Sequence, residues 1–319
     1  MSNPVLGLVG DIGATHARFA LLHRDGTLTP ARVFACADFA DIAEAITDYL
    51  AKEARAEKPV AGALAIAAAV VGEQVKMTNH PWSFSVGELR KRLGLDRLRV
   101  INDFAANALS IPELCESDLL QVGTGSPEAD APVAIIGPGS GLGVGALLPD
   151  RGSPIALASE GGHVTMPAAD MHEAAVLDLL RQRFEHVSAE RVLSGPGLVN
   201  LYTALCALAG ETPAPLGPAQ IADPGIGKEH PQAAAALSMF CAMLGTVAGN
   251  LALTLGARGG VYIAGGIVPK LGRTFAESAF RARFEAKGRF GDYLKNIPTY
   301  VVVRPLPALL GAARLLREC

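Results

Sequence analysis

A glycine-rich turn set between two short apolar runs is the feature that most constrains this chain, and it occurs twice. Residues 5–10 read as a strand, 11–15 as a turn and 16–22 as a second strand. Residues 133–137, the run Gly137-Pro138-Gly139-Ser140-Gly141-Leu142-Gly143, and residues 142–148 restate the pattern about 125 residues later. The 35 glycines, about 11% of 319 residues against a usual 7% or so, are concentrated in such turns. Small residues let backbone N–H groups approach an anion closely, and Thr15 adds a hydroxyl. In that reading Asp11 faces a metal carried by the phosphates; a tight hairpin whose glycines merely take positive φ explains the first turn equally well. The repetition implies two related halves facing one another across a cleft, with a nucleotide held between them.

Composition narrows the partner. The chain is 50% hydrophobic and 18% charged, and its 28 basic against 31 acidic residues give a net charge of −3 with no basic block. A nucleic-acid footprint is therefore missing and a small-molecule partner is expected. The apolar run 60–72 is short of the roughly 20 residues that span a bilayer, and the N-terminus lacks the basic and long apolar regions of a signal peptide. A cytoplasmic protein with no membrane span is expected. Cys36, Cys115, Cys206, Cys241 and Cys319 are odd in number and scattered, so they read as small core residues rather than a disulfide or zinc framework.

The element pattern is α/β with a mixed sheet. Helices are expected over 39–52, from the Ser85/Glu88 capping box to Leu93, and over 232–255, with strands at 64–71, 98–101 and 261–264. Residues 212–231 are expected as an exposed loop. A terminal strand 300–303 and helix 309–316, too small for a domain, are expected to dock on one half. The second glycine run superficially resembles a dinucleotide fingerprint, but a strand follows where that motif demands a helix, which argues against a nicotinamide-dependent dehydrogenase. No P-loop, zinc-protease or α/β-hydrolase motif is present. Asn102 and Asp103 fall at the C-terminal end of a strand, where α/β sheets bind ligands, although an N-cap is the commonest task for such an Asp. Glu160 and His163 sit on a glycine-rich turn, and Glu190 opens a helical stretch; a structural hydrogen bond for His163 and a helix-dipole role for Glu190 are the simpler readings.

The segments LVGDIGATHARFAL, MTNHPWSFS, INDFAANALSIP, IGPGSGLGV, EGGHVTMP, HVSAERVLSGPGLVNLY, GNLALTLG, GGVYIAGGIVP and KGRFGDYLKNIP together resemble bacterial ATP-dependent glucokinases, of the sugar kinase, heat-shock protein and actin superfamily. The resemblance implies a two-domain actin-like (ribonuclease H-like) ATPase fold, with residues 1–111 completed by 304–319 as the small α/β domain and 112–303 as the large one. It implies ATP and Mg²⁺ held by Gly10, Asp11, Ile12, Gly13, Ala14 and Thr15 and by Gly137, Gly139, Ser140 and Gly141, with Gly265 and Gly266 near the adenosine. It further implies that Asp103 is the general base on the glucose 6-hydroxyl, that Asn102, Glu160, His163 and Glu190 bind the other hydroxyls, and that the protein is a homodimer. The chain departs from the family pattern at Ala14, His16, Ser140 and Thr165, and Ala14 is expected to tighten the phosphate turn. The repressor-and-kinase relatives add a Cys-rich motif that is absent here. A broader hexokinase or a sugar-sensing pseudokinase of the same fold is the alternative.

Overall fold

In the computed structural model, which describes residues 4–54 and 57–317, the two glycine turns each open a three-strand meander. The first meander is β1 (Val5–Ile12), β2 (His16–His23) and β3 (Arg32–Ala35). Parallel to β1 run β4 (Ala61–Ile66) and, beyond a small hairpin of β5 (Gln74–Lys76) and β6 (Ser83–Ser85), β7 (Arg97–Asn102). The resulting sheet has the order β3-β2-β1-β4-β7. In the second half β8 (Leu119–Val122) precedes a meander of β9 (Val133–Pro138), β10 (Leu142–Leu148) and β11 (Ile155–Ser159), and β12 (Val261–Ile263) and β13 (Thr299–Val302) add in parallel beside β9. Its order, β11-β10-β9-β12-β13-β8, repeats the first with β8 appended. The chain divides into two compact units, residues 1–115 with 150–158 and 304–319, and residues 116–149 with 159–303.

The terminal strand and helix separate. β13 lies in the second sheet, whereas helix Pro307–Arg317 belongs to the first unit, so the expectation that they dock together on one half is corrected. That helix crosses helix Asp103–Ser110 so closely that a Cβ on Gly311 would lie within 2 Å of the Ala106 carbonyl oxygen. Only glycine fits there, and the crossing pins the helix that begins at Asp103.

Helix Pro231–Leu255 has the length and mean hydropathy (1.7) of a membrane span, but 72% of that apolar window is buried within the protein. Its Gly245 and Gly249 abut the carbonyls of Phe280 and Phe284 at distances that exclude a Cβ, which makes it a core helix of the second unit. The strand expected over 64–71 is displaced to Ala61–Ile66, and the loop expected over 212–231 contains the short helix Pro218–Ile221. Cys36, Cys206 and Cys241 are buried as expected; Cys115 is exposed, and Cys319 lies outside the described residues.

Candidate active site

The first phosphate-type turn is shorter than the sequence implies. Asp11 and Ile12 are still in β1, paired with Arg18 and Ala17 of β2, so the turn is confined to Gly13, Ala14 and Thr15. Gly10 is required for packing rather than for a left-handed backbone: its φ is negative, and a Cβ would come within 2.8 Å of Leu64 and 3.1 Å of Phe19. Gly13 N–H donates to the His16 carbonyl (3.0 Å), which closes the turn and leaves the Ala14 and Thr15 amides outside the sheet. Ala14 is not in the left-handed region, so it introduces no strain. Behind the turn, Cys36 donates its thiol to the Gly13 carbonyl (3.4 Å) and its N–H to the Thr15 carbonyl (2.9 Å).

Asp11 is mostly buried, 3.6 Å from the Arg18 guanidinium. Burial pushes its carboxyl above the usual range, and Arg18 offsets this only in part. The described residues contain no cluster of three metal-ligating side chains. A single buried, under-compensated carboxylate fits a Mg²⁺ that arrives already bound to phosphates, since Mg²⁺ commonly takes one or two carboxylates and keeps its waters. The ionised form of Asp11 is disfavoured in the folded state, so its contribution to stability declines as pH rises from 3.8 through the raised folded value. Asp11→Asn is therefore expected to melt at or above the wild-type temperature at pH 7, with the gap closing toward pH 3. Calorimetry at the two pH values checks this; a clear drop in melting temperature at pH 7 would contradict it.

At the C-terminal ends of the parallel strands in the first unit, Asn102 and Asp103 divide the work differently from the sequence expectation. The N-cap of helix Asp103–Ser110 is Asn102, whose Oδ1 accepts from Phe104 N–H (2.8 Å) and Ala105 N–H (3.1 Å) while its Nδ2 donates to the Ala68 carbonyl (3.2 Å). Asp103 is the first helical residue, its Oδ1 accepting from Phe104 N–H (2.9 Å). The simple capping explanation for Asp103 is thereby removed, because the cap already exists one residue earlier.

The remaining candidates lie in the second unit. Gly137 and Pro138 are strand residues of β9, and the second turn is 139–141, closed by Gly139 N–H to the Gly141 carbonyl (2.8 Å). Gly265, at φ +84°, lies against the Pro138 carbonyl at a distance no Cβ allows, which brings Gly265 and Gly266 beside that turn. Leu142 is shared: its N–H donates to Glu190 Oε2 (2.9 Å), and its carbonyl abuts Gly162, where a Cβ would sit 2.0 Å away. The Glu160–His163 turn is therefore adjacent to the same strand start. His163 Nε2 is 3.9 Å from Glu160 Oε2, too long for a hydrogen bond, and both side chains are more than half exposed. The structural hydrogen bond expected for His163 is absent among the described residues. Two residues beside the site were not among the site candidates read from sequence: Arg18, across from Asp11, and Cys36, read there only as a core residue and found behind the first turn.

The family profile described as Glucokinase matches residues 8–319. The chain belongs to the glucokinase family. It is 52% identical over 312 residues to the glucokinase of Paramagnetospirillum magneticum, covering 98% of this chain and 97% of that one. It is 49% identical to the glucokinase of Nitrobacter hamburgensis, with 98% of each covered. Among solved structures, glucokinase from an Antarctic psychrotroph matches with a TM-score of 0.88 at 37% identity, again over 98% of both chains. The fold is that of the family's actin-like ATPase neighbours. The second glycine turn leads into β10, an antiparallel strand, and not into the helix that a dinucleotide site needs.

Proposed function

We propose that this family member transfers the γ-phosphoryl group of ATP–Mg²⁺ to the 6-hydroxyl of glucose in the cytoplasm, acting as a homodimer, with Asp103 as the general base. The family match carries the reaction class; the capping of its helix by Asn102 is the geometric observation that supports Asp103 as base. Phosphoryl transfer depends on positioning and charge neutralisation more than on covalent chemistry. ATP–Mg²⁺ supplies the phosphoryl group and neutralises part of its charge. The amides of Ala14, Thr15, Ser140 and Gly141 would hold the phosphates, Asp11 would hold the Mg²⁺ carried by them, and Gly265 and Gly266 would lie near the adenosine. Asp103 accepts the proton of the 6-hydroxyl, which raises the nucleophilicity of that oxygen. Asn102, Glu160, His163 and Glu190 bind the other hydroxyls, and the exposure of Glu160 and His163 leaves their polar atoms accessible to a sugar.

A site built to pair particular hydroxyls discriminates against an epimer, because a displaced hydroxyl leaves a protein group without its partner. Glucose is expected to exceed galactose by at least about tenfold in kcat/KM. Glu160→Gln is expected to raise the KM for glucose more than that for ATP. Phosphate transfer measured over a panel of sugars and donors checks both. Equal rates on the two epimers would favour a broad hexokinase, and binding of glucose and ATP without turnover would favour a pseudokinase.

A further inference from the structure

The segment 189–195 is stitched to both of the second unit's candidate ligand turns. Glu190 Oε2 accepts the N–H of Leu142 (2.9 Å), at one end of the turn 139–141. Gly195 donates its N–H to the Gly139 carbonyl (2.8 Å), at the other end. Between these pins lie Ser140 and Gly141, the residues proposed to face phosphate. The pins are themselves fixed relative to one another: Ser194 Oγ donates to the Glu190 carbonyl (2.8 Å) and also accepts from Gly197 N–H (3.0 Å) as the N-cap of helix Gly195–Ala209. On the sugar side, Ala189 N–H donates to the Val164 carbonyl (2.8 Å), immediately after the turn that carries Glu160 and His163.

Two features show that the carboxylate contact is built in. A Cβ on Gly141 would lie 2.5 Å from Glu190 Oε2, so the backbone at 141 has been left bare where the carboxylate sits. The contact also spans 48 residues of sequence, so no local turn produces it. A carboxylate offers about four lone-pair sites on two oxygens, so engagement of Oε2 with Leu142 leaves Oε1 able to accept a sugar hydroxyl.

We infer that Glu190 is a positioning residue for the nucleotide turn as well as a sugar ligand, so that one carboxylate couples the two substrates. This rests on the reading above that Glu190 meets a glucose hydroxyl and that 139–141 meets phosphate. A hydroxyl bound at Oε1 fixes the carboxylate plane, and the carboxylate plane fixes the Leu142 amide that ends the turn. Coupling of this kind is reciprocal: glucose must tighten nucleotide binding by the same factor by which nucleotide tightens glucose binding.

The test uses the full chain and isothermal calorimetry on wild type, Glu190→Gln and Glu190→Ala, titrating the non-hydrolysable analogue AMPPNP with Mg²⁺ and, separately, glucose, each alone and with the other present. The AMPPNP affinities below are those without sugar, and in wild type each ligand is expected to tighten the other by the same factor. The Gln amide oxygen keeps an acceptor for Leu142 N–H, and Ala has none. Expected are AMPPNP affinity within about twofold of wild type for Glu190→Gln and at least about fivefold weaker for Glu190→Ala. If Glu190→Ala keeps wild-type AMPPNP affinity while losing glucose, Glu190 is a sugar ligand only; the coupling is overturned and the glucokinase reading stands. Equal weakening in Gln and Ala overturns it too, because the acceptor is then irrelevant. Should Glu190→Ala fail to fold, Gly141→Ala, which evicts the carboxylate without changing any polar group, is expected to weaken glucose and AMPPNP together by at least about fivefold. Unchanged glucose affinity in Gly141→Ala overturns the inference. Wild type that binds neither ligand rejects the functional reading itself.

Discussion

Arg281→Ala is expected to destabilise the fold by about 2–4 kcal/mol, the cost of removing a buried donor from several acceptors at once. The Arg281 side chain is only 11% exposed, and its guanidinium donates to the carbonyls of Leu294 (3.3 Å), Lys295 (2.9 Å) and Ile297 (2.9 Å), to Thr299 Oγ1 (3.3 Å) and to Glu285 (2.6 Å). It also stacks over Phe284, 4.9 Å from the ring centroid. Three of these acceptors are carbonyls at and just beyond the end of helix Gly291–Lys295; that of Leu294 also accepts from the Ile297 N–H (3.0 Å), so the Lys295 and Ile297 carbonyls and Thr299 Oγ1 depend most on Arg281. Truncation removes these donors and opens a void. Arg281→Lys keeps the charge but replaces five forked donors by three on one nitrogen, so it is expected to recover less than half of the loss. Urea denaturation midpoints check both variants. A loss below about 1 kcal/mol for Arg281→Ala would mean that water satisfies these groups.

The doubled strand, turn, strand pattern was legible because two glycine clusters flanked by apolar runs leave few alternatives, and both sheets carry it as a meander followed by parallel strands. The ends of elements were less legible. β1 runs on through Asp11 and Ile12 because Asp11 pairs across the hairpin with Arg18 and Ile12 is fully buried, and neither contact is visible in a local window. The helix after β7 starts with two adjacent capping-competent residues, so its first turn could be read in either of two registers; the Asn102 amide, bridging to Ala68, settles it. The strand at the C-terminus separates from the following helix because β13 pairs with β12 and β8 in the second sheet, whereas the helix packs on helix Asp103–Ser110 in the first unit, and neither pairing shows in a local window. In the candidate site, residue types marked Glu160, His163 and Glu190. The tie from Glu190 to Leu142 did not show, because a side chain that bonds a backbone amide imposes no residue type on its partner. Gly141 was the one trace of it, and among so many glycines it was indistinguishable from a turn requirement.

Asp103→Asn is expected to lower kcat by about 10²–10⁴ while changing stability little. The substitution preserves shape and an acceptor for the Phe104 amide, and Asn102 continues to cap the helix. The side chain loses its negative charge and its ability to take up a proton. If Asp103 served the helix alone, through its charge near the N-terminal dipole, the cost would be a fraction of a kcal/mol in stability with activity intact. If it is the base, the loss falls on turnover, since glucose still finds a hydrogen-bonding side chain of the same size.

The two roles separate most directly in a single-turnover experiment with glucose prebound, ATP–Mg²⁺ added by rapid mixing, and glucose 6-phosphate quantified after quenching, run beside calorimetric glucose binding. The expected result is an Asp103→Asn protein that binds glucose within about fivefold of wild type, melts within a few degrees of it, and forms product at under about one per cent of its rate. Product formation above about a tenth of the wild-type rate would contradict Asp103 as the base.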